Sequence, residues 1–239
     1  MKHLDLTLPT PQENLACDDA LLELCEEGFD HEILRFWEPR EYFVVLGRSG
    51  KMEAEVHVDS CKENRIPILR RSSGGGTVLQ GPGCLNFSLI LRMLPSGPLK
   101  SISQTNTFVM NYHKEALERI LGNGVEVQGT SDLTLRGLKF SGNAQRRKRH
   151  FVLFHGTFLC HFDIPLIEKF LRVPLKQPAY RKNRLHQEFL TNLCVSPSLI
   201  RSALQKAWQA GETFDDLPAH RVRELAKNRY AKDEWNFKL

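Results

Sequence analysis

The most informative stretch of this 239-residue sequence covers residues 70–78, Arg-Arg-Ser-Ser-Gly-Gly-Gly-Thr-Val. Three consecutive glycines tolerate positive φ angles and leave the backbone bare, so a ligand can lie directly against it. Successive N–H groups in such a turn can point at one anion. The two arginines add planar, permanently charged groups that fit carboxylate or phosphate. We call residues 73–77 the triglycine loop and predict that it binds an anion.

Two predicted strands flank this loop. Residues 66–69 lead into it, and residues 85–91 lead out with alternating apolar and mostly polar side chains. The loop is followed by no Gly-Lys-Ser/Thr and lacks the spacing of the dinucleotide fingerprint, so it belongs to neither common class of nucleotide loop. A flexible turn is the structural alternative, but a loop between two strands sits on a rigid scaffold.

Composition narrows the class of protein. The sequence is 41% hydrophobic and 26% charged, which is typical of a soluble globular protein. It contains no apolar run that could span a bilayer and no signal or transit pattern. The six cysteines are scattered, so we expect mostly buried thiols in a reducing compartment and no structural zinc. These features predict a cytoplasmic protein that has no membrane partner.

The chain mixes helices and strands without an internal repeat or a low-complexity linker. Thr10, Pro11 and Glu13 form a helix start with a capping box. Residues 32–37 and 42–47 are predicted strands around a turn at residues 38–40. The last third is predicted to be mostly helical, with Pro197 opening one helix after Ser196.

A second informative region covers residues 132–157, where two short strands are predicted around the turn at residues 136–137. Lys139 could neutralise a carboxylate as it attacks a phosphate, or it could be a surface lysine. Asp132 could hold Mg²⁺ or a ribose hydroxyl, or it could be a turn residue. His155 is either a ligand contact or a core histidine. The basic residues 146–150 form either a solvated hairpin end or a binding patch.

Taken in order, these motifs resemble the catalytic domain of lipoate–protein ligases, in the biotin/lipoate protein ligase family. The segments that carry the resemblance are residues 70–78, 86–88, 132–144 and 155–159, with further similarity at residues 14–21, 47–48, 184–193 and 230–237. Together they cover nearly the whole chain. The resemblance implies an α+β fold, with mixed β-sheets flanked by helices, in a single catalytic domain over residues 1–239. It also implies that the small C-terminal accessory domain of many ligases is lacking.

The resemblance implies a reaction in two steps. ATP, with Mg²⁺, and lipoate give lipoyl-adenylate and pyrophosphate. The acyl group then passes to a lysine of an apo lipoyl domain, in a 2-oxoacid dehydrogenase or the glycine cleavage H protein. Lys139 is the implied catalytic residue, which contacts the carbonyl and the α-phosphate, and Asp132 is a possible Mg²⁺ ligand. The implied substrate- and nucleotide-binding residues are Arg71, Ser73, Gly74, Gly75, Gly76, Thr77, Gln80, Asn86, Asp132, Ser141, Gly142, Ala144, His155 and Thr157.

The sequence departs from the family pattern in three places. Gln80 stands where many relatives have histidine, and Ser131 stands where many have asparagine. Both residues can still form hydrogen bonds, so only the roles of these two positions are in doubt. The sequence also stops where many ligases continue into the accessory domain. A separate small partner protein is therefore one expectation, and activity without it is the other.

Three other functions compete with the ligase. Octanoyl- or lipoyl-transferases of the same fold use a cysteine nucleophile, but residues 125–136 contain none, and we expect Cys84 to be structural. Biotin–protein ligase is disfavoured because its Gly-Arg-Gly-Arg-type loop is missing. A nucleic-acid-binding module is disfavoured because the aromatic residues are not interleaved with the basic ones. We expect instead that Arg146, Arg147 and Arg149 dock an acidic lipoyl domain.

Overall fold

The structure, a computed structural model, describes residues 1–174 and 176–238. Its strands are β1 (Lys2–Asp5), β2 (Ile33–Trp37), β3 (Phe43–Leu46), β4 (Ile68–Arg70), β5 (Val78–Gln80), β6 (Cys84–Arg92), β7 (Val125–Gln128), β8 (Asp132–Leu135), β9 (Leu138–Arg147), β10 (Phe151–Leu159) and β11 (Glu212–Thr213). Its helices are α1 (Pro11–Glu26), α2 (Met52–Glu55), α3 (Val58–Glu63), α4 (Ile102–Leu121), α5 (Pro165–Phe170), α6 (His186–Phe189), α7 (Pro197–Ala207), α8 (Ala219–Leu225) and α9 (Asp233–Asn236). A 3₁₀ turn (Ala179–Arg181) and a π-helical turn (Ala226–Tyr230) complete the regular structure of the described residues.

The strands form two mixed sheets. The larger sheet has the order β11-β1-β2-β6-β10-β9-β8-β7, and the smaller one has the order β4-β3-β5. In the larger sheet β1 is parallel to β2 and β11, whereas the other neighbours are antiparallel. In the smaller sheet β3 is parallel to β4 and antiparallel to β5. This architecture confirms the expected α+β fold with mixed sheets.

Helices cover both faces of the larger sheet. Along β10 the side chains alternate, so that Phe151 and Leu153 lie in the core with α1, while Val152 and Phe154 lie in the core with α4 and α7. A strand buried on both faces is expected at the centre of such a layered fold. The sheet is therefore sandwiched, and its central antiparallel strands form a rigid platform.

The first helix begins where the sequence predicts. Thr10 Oγ1 accepts from the backbone N–H of Glu13 at 3.2 Å, and the Glu13 carboxylate accepts from the backbone N–H of Thr10 at 3.1 Å. Pro11 is the first helical residue, where its missing N–H costs no hydrogen bond. This capping box fixes the register of α1.

The two strands predicted around residues 38–40 lie in different sheets. Strand β2 is buried along its whole length and pairs with β1 and β6, so it has no free edge for β3. Strand β3 pairs instead with β4 and β5. The turn thus carries the chain from the larger sheet to the smaller one, which brings the triglycine loop opposite the larger sheet.

None of the helices in residues 1–174 and 176–238 has both the length and the apolar character that crossing a membrane requires. Five of the six cysteines are buried free thiols, and Cys194 is exposed.

Candidate active site

A cavity of about 330 Å³ lies between the triglycine loop and strands β9 and β10. We call it the central cleft. Of the residues that the sequence predicts for the site, its lining includes Arg71, Gly76, Thr77, Gln80, Asn86, Asp132, Lys139, Ser141, Gly142, Ala144, His155 and Thr157. The structure thus brings the loop and Lys139 to one shared cavity, which is the arrangement that an anion site between them requires.

The triglycine loop presents bare backbone to solvent. Gly74, Gly75 and Gly76 are exposed, and none of their N–H groups finds a backbone acceptor among the described residues. Gly75 has a φ of 86°, which is the left-handed region. A β-carbon there would lie 2.9 Å from Arg71 Nη2. The loop therefore needs glycine at this position, and its N–H groups are available to an anion.

Arg71 lines the cleft and uses its guanidinium to bind the triglycine loop. Its Nη2 donates to the carbonyls of Gly74 and Gly76 at 2.6 and 2.8 Å, and its Nε donates to Ser73 Oγ at 3.1 Å. Burial lowers the pKa of Arg71 to about 10, so it stays charged at neutral pH. Arg71 thus binds carbonyls of the loop and leaves the N–H groups of the loop free, and its expected contact with substrate stays a prediction.

Arg70 is also structural. Its Nη1 donates to the carbonyls of Gly47 and Gly50 at 3.0 and 2.7 Å, and its Nε donates to the carbonyl of Asn236 at 3.1 Å. Its side chain is completely buried. Both arginines of the motif thus satisfy backbone carbonyls, which are the natural partners of a buried guanidinium that lacks a carboxylate.

Ser73 joins the loop to the larger sheet. Its hydroxyl shares a hydrogen bond of 2.6 Å with His155 Nε2 on β10. Burial, with a smaller effect from the nearby Arg71 charge, lowers the pKa of His155 to about 3. The imidazole is therefore neutral at physiological pH. His155 is a ligand-cleft residue that holds the loop, and it carries no charge that a phosphate could use.

Lys139 is the basic group opposite the loop. Its Nζ lies 2.8 Å from Asp132 Oδ1, and the lysine side chain is 25% exposed to the cleft. The backbone carbonyl of Lys139 accepts from the N–H of Thr191 at 2.9 Å. A β-carbon at Gly142 would lie 3.0 Å from both Nζ and Cε. The missing side chain at position 142 therefore leaves room for the ammonium group to move.

Asp132 does not fit a resident Mg²⁺ site. One of its carboxylate oxygens faces Lys139, and the other accepts from the Tyr180 hydroxyl at 2.7 Å. Within the described residues, no group of three histidine, cysteine or acidic side chains could hold a metal ion. The described residues therefore offer no resident metal cluster at Asp132, which is the counter-ion of Lys139, and its role as a possible Mg²⁺ ligand stays a prediction. Any Mg²⁺ would accompany the triphosphate as part of the substrate.

Three predicted residues form a closed polar ring on the floor of the cleft. Gln80 Nε2 donates to Thr157 Oγ1 at 2.7 Å, and Asn86 Nδ2 donates to Gln80 Oε1 at 3.0 Å. The Thr157 hydroxyl in turn donates to Asn86 Oδ1. Gln80 and Asn86 are buried. Because each member satisfies the others, the hydrogen bonds of the ring hold the three side chains in place.

Two further predicted residues, Ser141 and Ala144, lie on β9 on either side of Gly142. The Ser141 hydroxyl is buried and has no hydrogen-bond partner among the described residues. The Ala144 side chain lies beside Gly75, where it would be 3.5 Å from an added β-carbon. The small residues of β9 thus let the sheet and the loop approach each other closely.

Several cleft residues were not predicted from the sequence. Glu55 accepts from the Thr77 hydroxyl at 2.5 Å and from the N–H of Lys51 at 3.1 Å, so it holds the end of the loop. Tyr180 and Arg181 also line or support the cleft. No local pattern marks these residues, since each meets its partner through the fold alone.

Asp19 supports the site from outside the cleft lining and was also not predicted from the sequence. This buried carboxylate accepts from Ser72, Arg146, Arg229 and Tyr230, at 2.6–2.8 Å. It therefore ties α1 to the loop, to β9 and to the C-terminal segment. An acidic residue within the buried, periodic face of α1 was the available signal.

The basic tip is only partly free to dock a partner. Arg146 is paired with Asp19, and Arg147 donates to the carbonyl of Leu99 at 2.6 Å and to Thr105 Oγ1 at 2.9 Å. Arg149 is exposed. Of the three arginines expected to dock a partner, Arg146 and Arg147 thus already stabilise the fold, and Arg149 is the exposed one.

No cysteine is among the described residues that line the cleft. Cys84 is completely buried, and burial raises the pKa of its thiol. A neutral, inaccessible thiol is a poor nucleophile. The position of Cys84 therefore agrees with the expectation that it is structural.

Comparison with known proteins adds a family and several relatives. Residues 10–198 match the family model of the lipoyl protein ligase A/B catalytic domain. The probable lipoate-protein ligase A of Mycoplasma pneumoniae is 28% identical over 99% of this chain and 72% of its own length. The octanoyltransferase LipM of Anoxybacillus flavithermus is 26% identical over 96% of this chain and 95% of its own length. Subunit 1 of lipoate-protein ligase A from Thermoplasma acidophilum is 28% identical, with 98% and 96% covered.

Solved structures are similar over the same length. A lipoate-protein ligase A bound with ATP has a TM-score of 0.84 and 25% identity, with 99% of both chains covered. A putative lipoate protein ligase from T. acidophilum with bound lipoic acid has a TM-score of 0.81 and 25% identity, with both chains fully covered. A bipartite ligase, described with its E2 lipoyl domain, from the same organism has a TM-score of 0.83 and 25% identity, with 99% and 95% covered.

Proposed function

Because this chain belongs to the lipoyl protein ligase A/B catalytic domain family, we propose that it is an ATP-dependent lipoate–protein ligase. It activates lipoate as lipoyl-adenylate and transfers the acyl group to a lysine of a lipoyl domain. The observation that carries this proposal is the shared central cleft, whose lining includes Gly76 and Thr77 of the triglycine loop together with Lys139 of β9. The cleft also takes residues from both sheets.

Activation is a task of positioning and charge. A lipoate oxygen attacks the α-phosphorus of ATP, the bond to the bridging oxygen breaks, and pyrophosphate leaves with the electron pair. Both reactants are anions, so their approach is opposed until fixed positive groups offset the repulsion. Lys139 supplies one such charge, and the loop amides supply dipoles without the flexibility of long side chains. Holding the two reactants together replaces an encounter in water.

The Lys139–Asp132 pair sets where this charge begins. Asp132 holds the ammonium group of Lys139, and Tyr180 holds Asp132 in turn. A phosphate or carboxylate that enters the cleft competes with Asp132 for the same ammonium group. Since Gly142 leaves space beside Nζ, the lysine can turn toward the ligand without displacing another side chain.

In the second step, transfer of the acyl group to the acceptor, Lys139 has a different role. The ε-amine of the acceptor lysine attacks the carbonyl carbon of the adenylate, and AMP leaves with the electron pair while the amine loses its proton. Lys139 stabilises the carbonyl oxygen and the departing phosphate. No covalent intermediate with the enzyme is needed, which agrees with a cleft whose described lining contains no cysteine.

The descriptions of two relatives support an inference about the acceptor and the partner protein. We infer that the acceptor is the apo lipoyl domain of a 2-oxoacid dehydrogenase or the glycine cleavage H protein, since one similar ligase is described with an E2 lipoyl domain. The name of the Thermoplasma relative, subunit 1, supports a separate small accessory protein as a second partner. We also infer that residues 1–239 act as one catalytic unit in the cytoplasm, with Mg²⁺ bound to ATP.

An acyltransferase is the second candidate, because the octanoyltransferase LipM is among the similar proteins. One experiment separates the two. Purified protein is mixed with ATP, Mg²⁺, lipoate and an apo lipoyl domain, and the mass of the acceptor and the release of pyrophosphate are followed together. A ligase modifies the acceptor only when ATP is present. Modification from an acyl-carrier donor, whether or not ATP is present, would replace the ligase with the transferase.

A further inference from the structure

Arg181 is a buried basic residue at the wall of the cleft. It ends the 3₁₀ turn Ala179–Arg181, is only 4% exposed, and lines the central cleft. Its guanidinium carbon lies 4.7 Å from the centroid of the Phe189 ring, and its Nε donates to the carbonyl of Arg184 at 3.0 Å. The side chain is therefore fixed in position from two directions.

The fold supplies no counter-ion for this arginine. Among residues 1–174 and 176–238, no carboxylate lies within 4.0 Å of it, and its Nη2 is buried without a hydrogen-bond partner. Burial lowers the pKa of Arg181, although the Asp132 carboxylate is near enough to oppose the effect weakly. A buried charge without a partner is costly, so such a group is more often found at a ligand site than in a core.

The other basic groups of the cleft have different assignments. Arg71 is used by the carbonyls of the triglycine loop, and Lys139 is paired with Asp132. Arg172 and Lys176 also line the cleft but are exposed, and Arg172 Nε donates to the carbonyl of Val56 at 3.3 Å. Among these basic residues, Arg181 is the buried and rigid one. A planar guanidinium can donate two parallel hydrogen bonds to phosphate oxygens.

We propose that Arg181 forms a pyrophosphate subsite, which binds the β- and γ-phosphates of ATP and then the departing pyrophosphate. This inference rests on the proposed function and names a site within it. When the lipoate oxygen bonds to the α-phosphorus, the bond to the oxygen that bridges to the β-phosphorus breaks. The electron pair moves onto that bridging oxygen, and the Arg181 N–H groups stabilise the charge that develops there. Lys139 stays with the α-phosphate, which remains in the adenylate.

Binding of inorganic pyrophosphate alone tests the subsite without any reaction. Titration calorimetry compares the wild type with Arg181→Gln and with Arg181→Lys. We expect Arg181→Gln to weaken pyrophosphate binding about tenfold to a hundredfold, because a charge-assisted pair is lost. Arg181→Lys should keep part of the affinity. Lys182→Gln removes the same charge from the next residue, which is exposed and does not line the cleft, and should leave binding unchanged.

Two kinetic readouts separate ligand binding from a structural role. Arg181→Gln should slow ATP-dependent pyrophosphate release about thirtyfold or more, while transfer from added lipoyl-adenylate changes less than about twofold. Equal losses in both reactions, or pyrophosphate binding that is the same in Arg181→Gln and wild type, would overturn the subsite. Should Arg181→Gln unfold, the comparison of Arg181→Lys with Lys182→Gln decides. A wild-type protein that binds pyrophosphate through Arg181 but makes no adenylate would overturn the ligase and leave the subsite standing.

Discussion

The indole nitrogen of Trp235 donates a hydrogen bond of 2.7 Å to the backbone carbonyl of Arg70, across 165 residues of sequence. Next to it, Asn236 Oδ1 accepts from the Arg70 N–H at 2.9 Å, and Asn236 Nδ2 donates to the carbonyl of Tyr230 at 3.0 Å. The C-terminal segment thus satisfies the edge of β4 as a neighbouring strand would. Since β4 leads directly into the triglycine loop, this segment fixes where the loop begins.

Asn236→Ala should therefore destabilise the protein. The change leaves the buried N–H of Arg70 and the carbonyl of Tyr230 without partners, which costs about 2–4 kcal/mol of unfolding free energy. Urea denaturation measures the loss. Asn228→Ala changes an exposed asparagine in the same segment and should cost less than about 0.5 kcal/mol. Equal effects of the two changes would show that Asn236 does not fix β4.

Lys139→Ala should abolish adenylate formation without unfolding the protein. The lost charge stabilises the transition state, so we expect a fall of about a hundredfold or more in the rate of pyrophosphate release. The thermal midpoint should fall only modestly, because the lysine side chain is partly exposed and Asp132 keeps the Tyr180 hydroxyl as a partner. Cys84→Ala is the companion change, and it should keep acyl transfer. A loss of transfer in Cys84→Ala with folding intact would favour the thiol mechanism of the transferases.

Gly47→Ala should displace the triglycine loop without touching a ligand. A β-carbon at position 47 would lie 2.0 Å from the backbone oxygen of Gly75, and the backbone cannot yield cheaply at that distance. We expect a loss of stability of about 1–3 kcal/mol and a higher KM for ATP. Gly211→Ala is the control, since an added β-carbon there meets nothing within 4 Å. An unchanged KM in Gly47→Ala would mean that the loop position does not control nucleotide binding.

Acid should destabilise the protein through two histidines, the buried His113 and the half-buried His155. Burial lowers the pKa of both His113 and His155 to about 3, whereas histidine in an unfolded chain titrates near 6.5. Between these pH values the unfolded state binds more protons, so the free energy of unfolding falls as pH falls. Above about pH 6.5 the two neutral histidines make their full contribution to stability. Below this pH, the free energy of unfolding falls by about 1.4 kcal/mol per pH unit for each histidine.

His113→Leu isolates one of these contributions. His113 packs edge-on against Phe87 at 4.6 Å between ring centroids, away from the loop that His155 holds. Urea denaturation between pH 6 and pH 4 should show a shallower dependence of stability on pH in the variant, by about 1.4 kcal/mol per pH unit. If the wild type and the variant have the same slope, His113 does not resist protonation in the folded state.

Local patterns made part of this site predictable. The capping box of Thr10 and Glu13 and the positive φ of Gly75 depend only on neighbouring residues, so the sequence contains their full signal. Lys139 was predicted in a strand from its flanking residues, and the family resemblance supplied its role. The prediction that Arg71 binds substrate is not tested by these contacts, whereas its hydrogen bonds to the carbonyls of Gly74 and Gly76 could not be predicted, because those carbonyls face it only after the loop has folded.

Long-range pairs could not be predicted in the same way. Asp19 meets Arg146 across 127 residues and Tyr230 across 211 residues. Tyr180 meets Asp132 across 48 residues, where neither residue type specifies the other. A buried carboxylate needs hydrogen-bond donors, but the sequence does not specify which donors the fold places next to it. For this reason Asp19, Tyr180 and Arg181 emerged only from the structure.

The difference between Arg146 and Arg149 gives a test of acceptor docking. Arg146→Ala removes a donor from the buried Asp19 carboxylate, so we expect a loss of about 1–3 kcal/mol in unfolding free energy. Arg149→Ala removes an exposed charge and should leave stability unchanged. It should instead slow association with an acidic lipoyl domain about two- to fivefold at low salt, because charge steers the encounter. The slowing should shrink as salt is raised, since added ions screen the attraction.

Association rates from surface plasmon resonance, together with pyrophosphate release, complete this test. Arg223→Ala removes an exposed arginine from α8 and is the control for the change in net charge. If Arg149 is part of the docking surface, its variant slows association more than Arg223→Ala does and leaves adenylate formation intact. If the two variants slow association equally, the effect comes from the change in net charge and not from a docking surface at Arg149. Slower adenylate formation in Arg149→Ala would mean that the residue acts on the cleft and not on the partner.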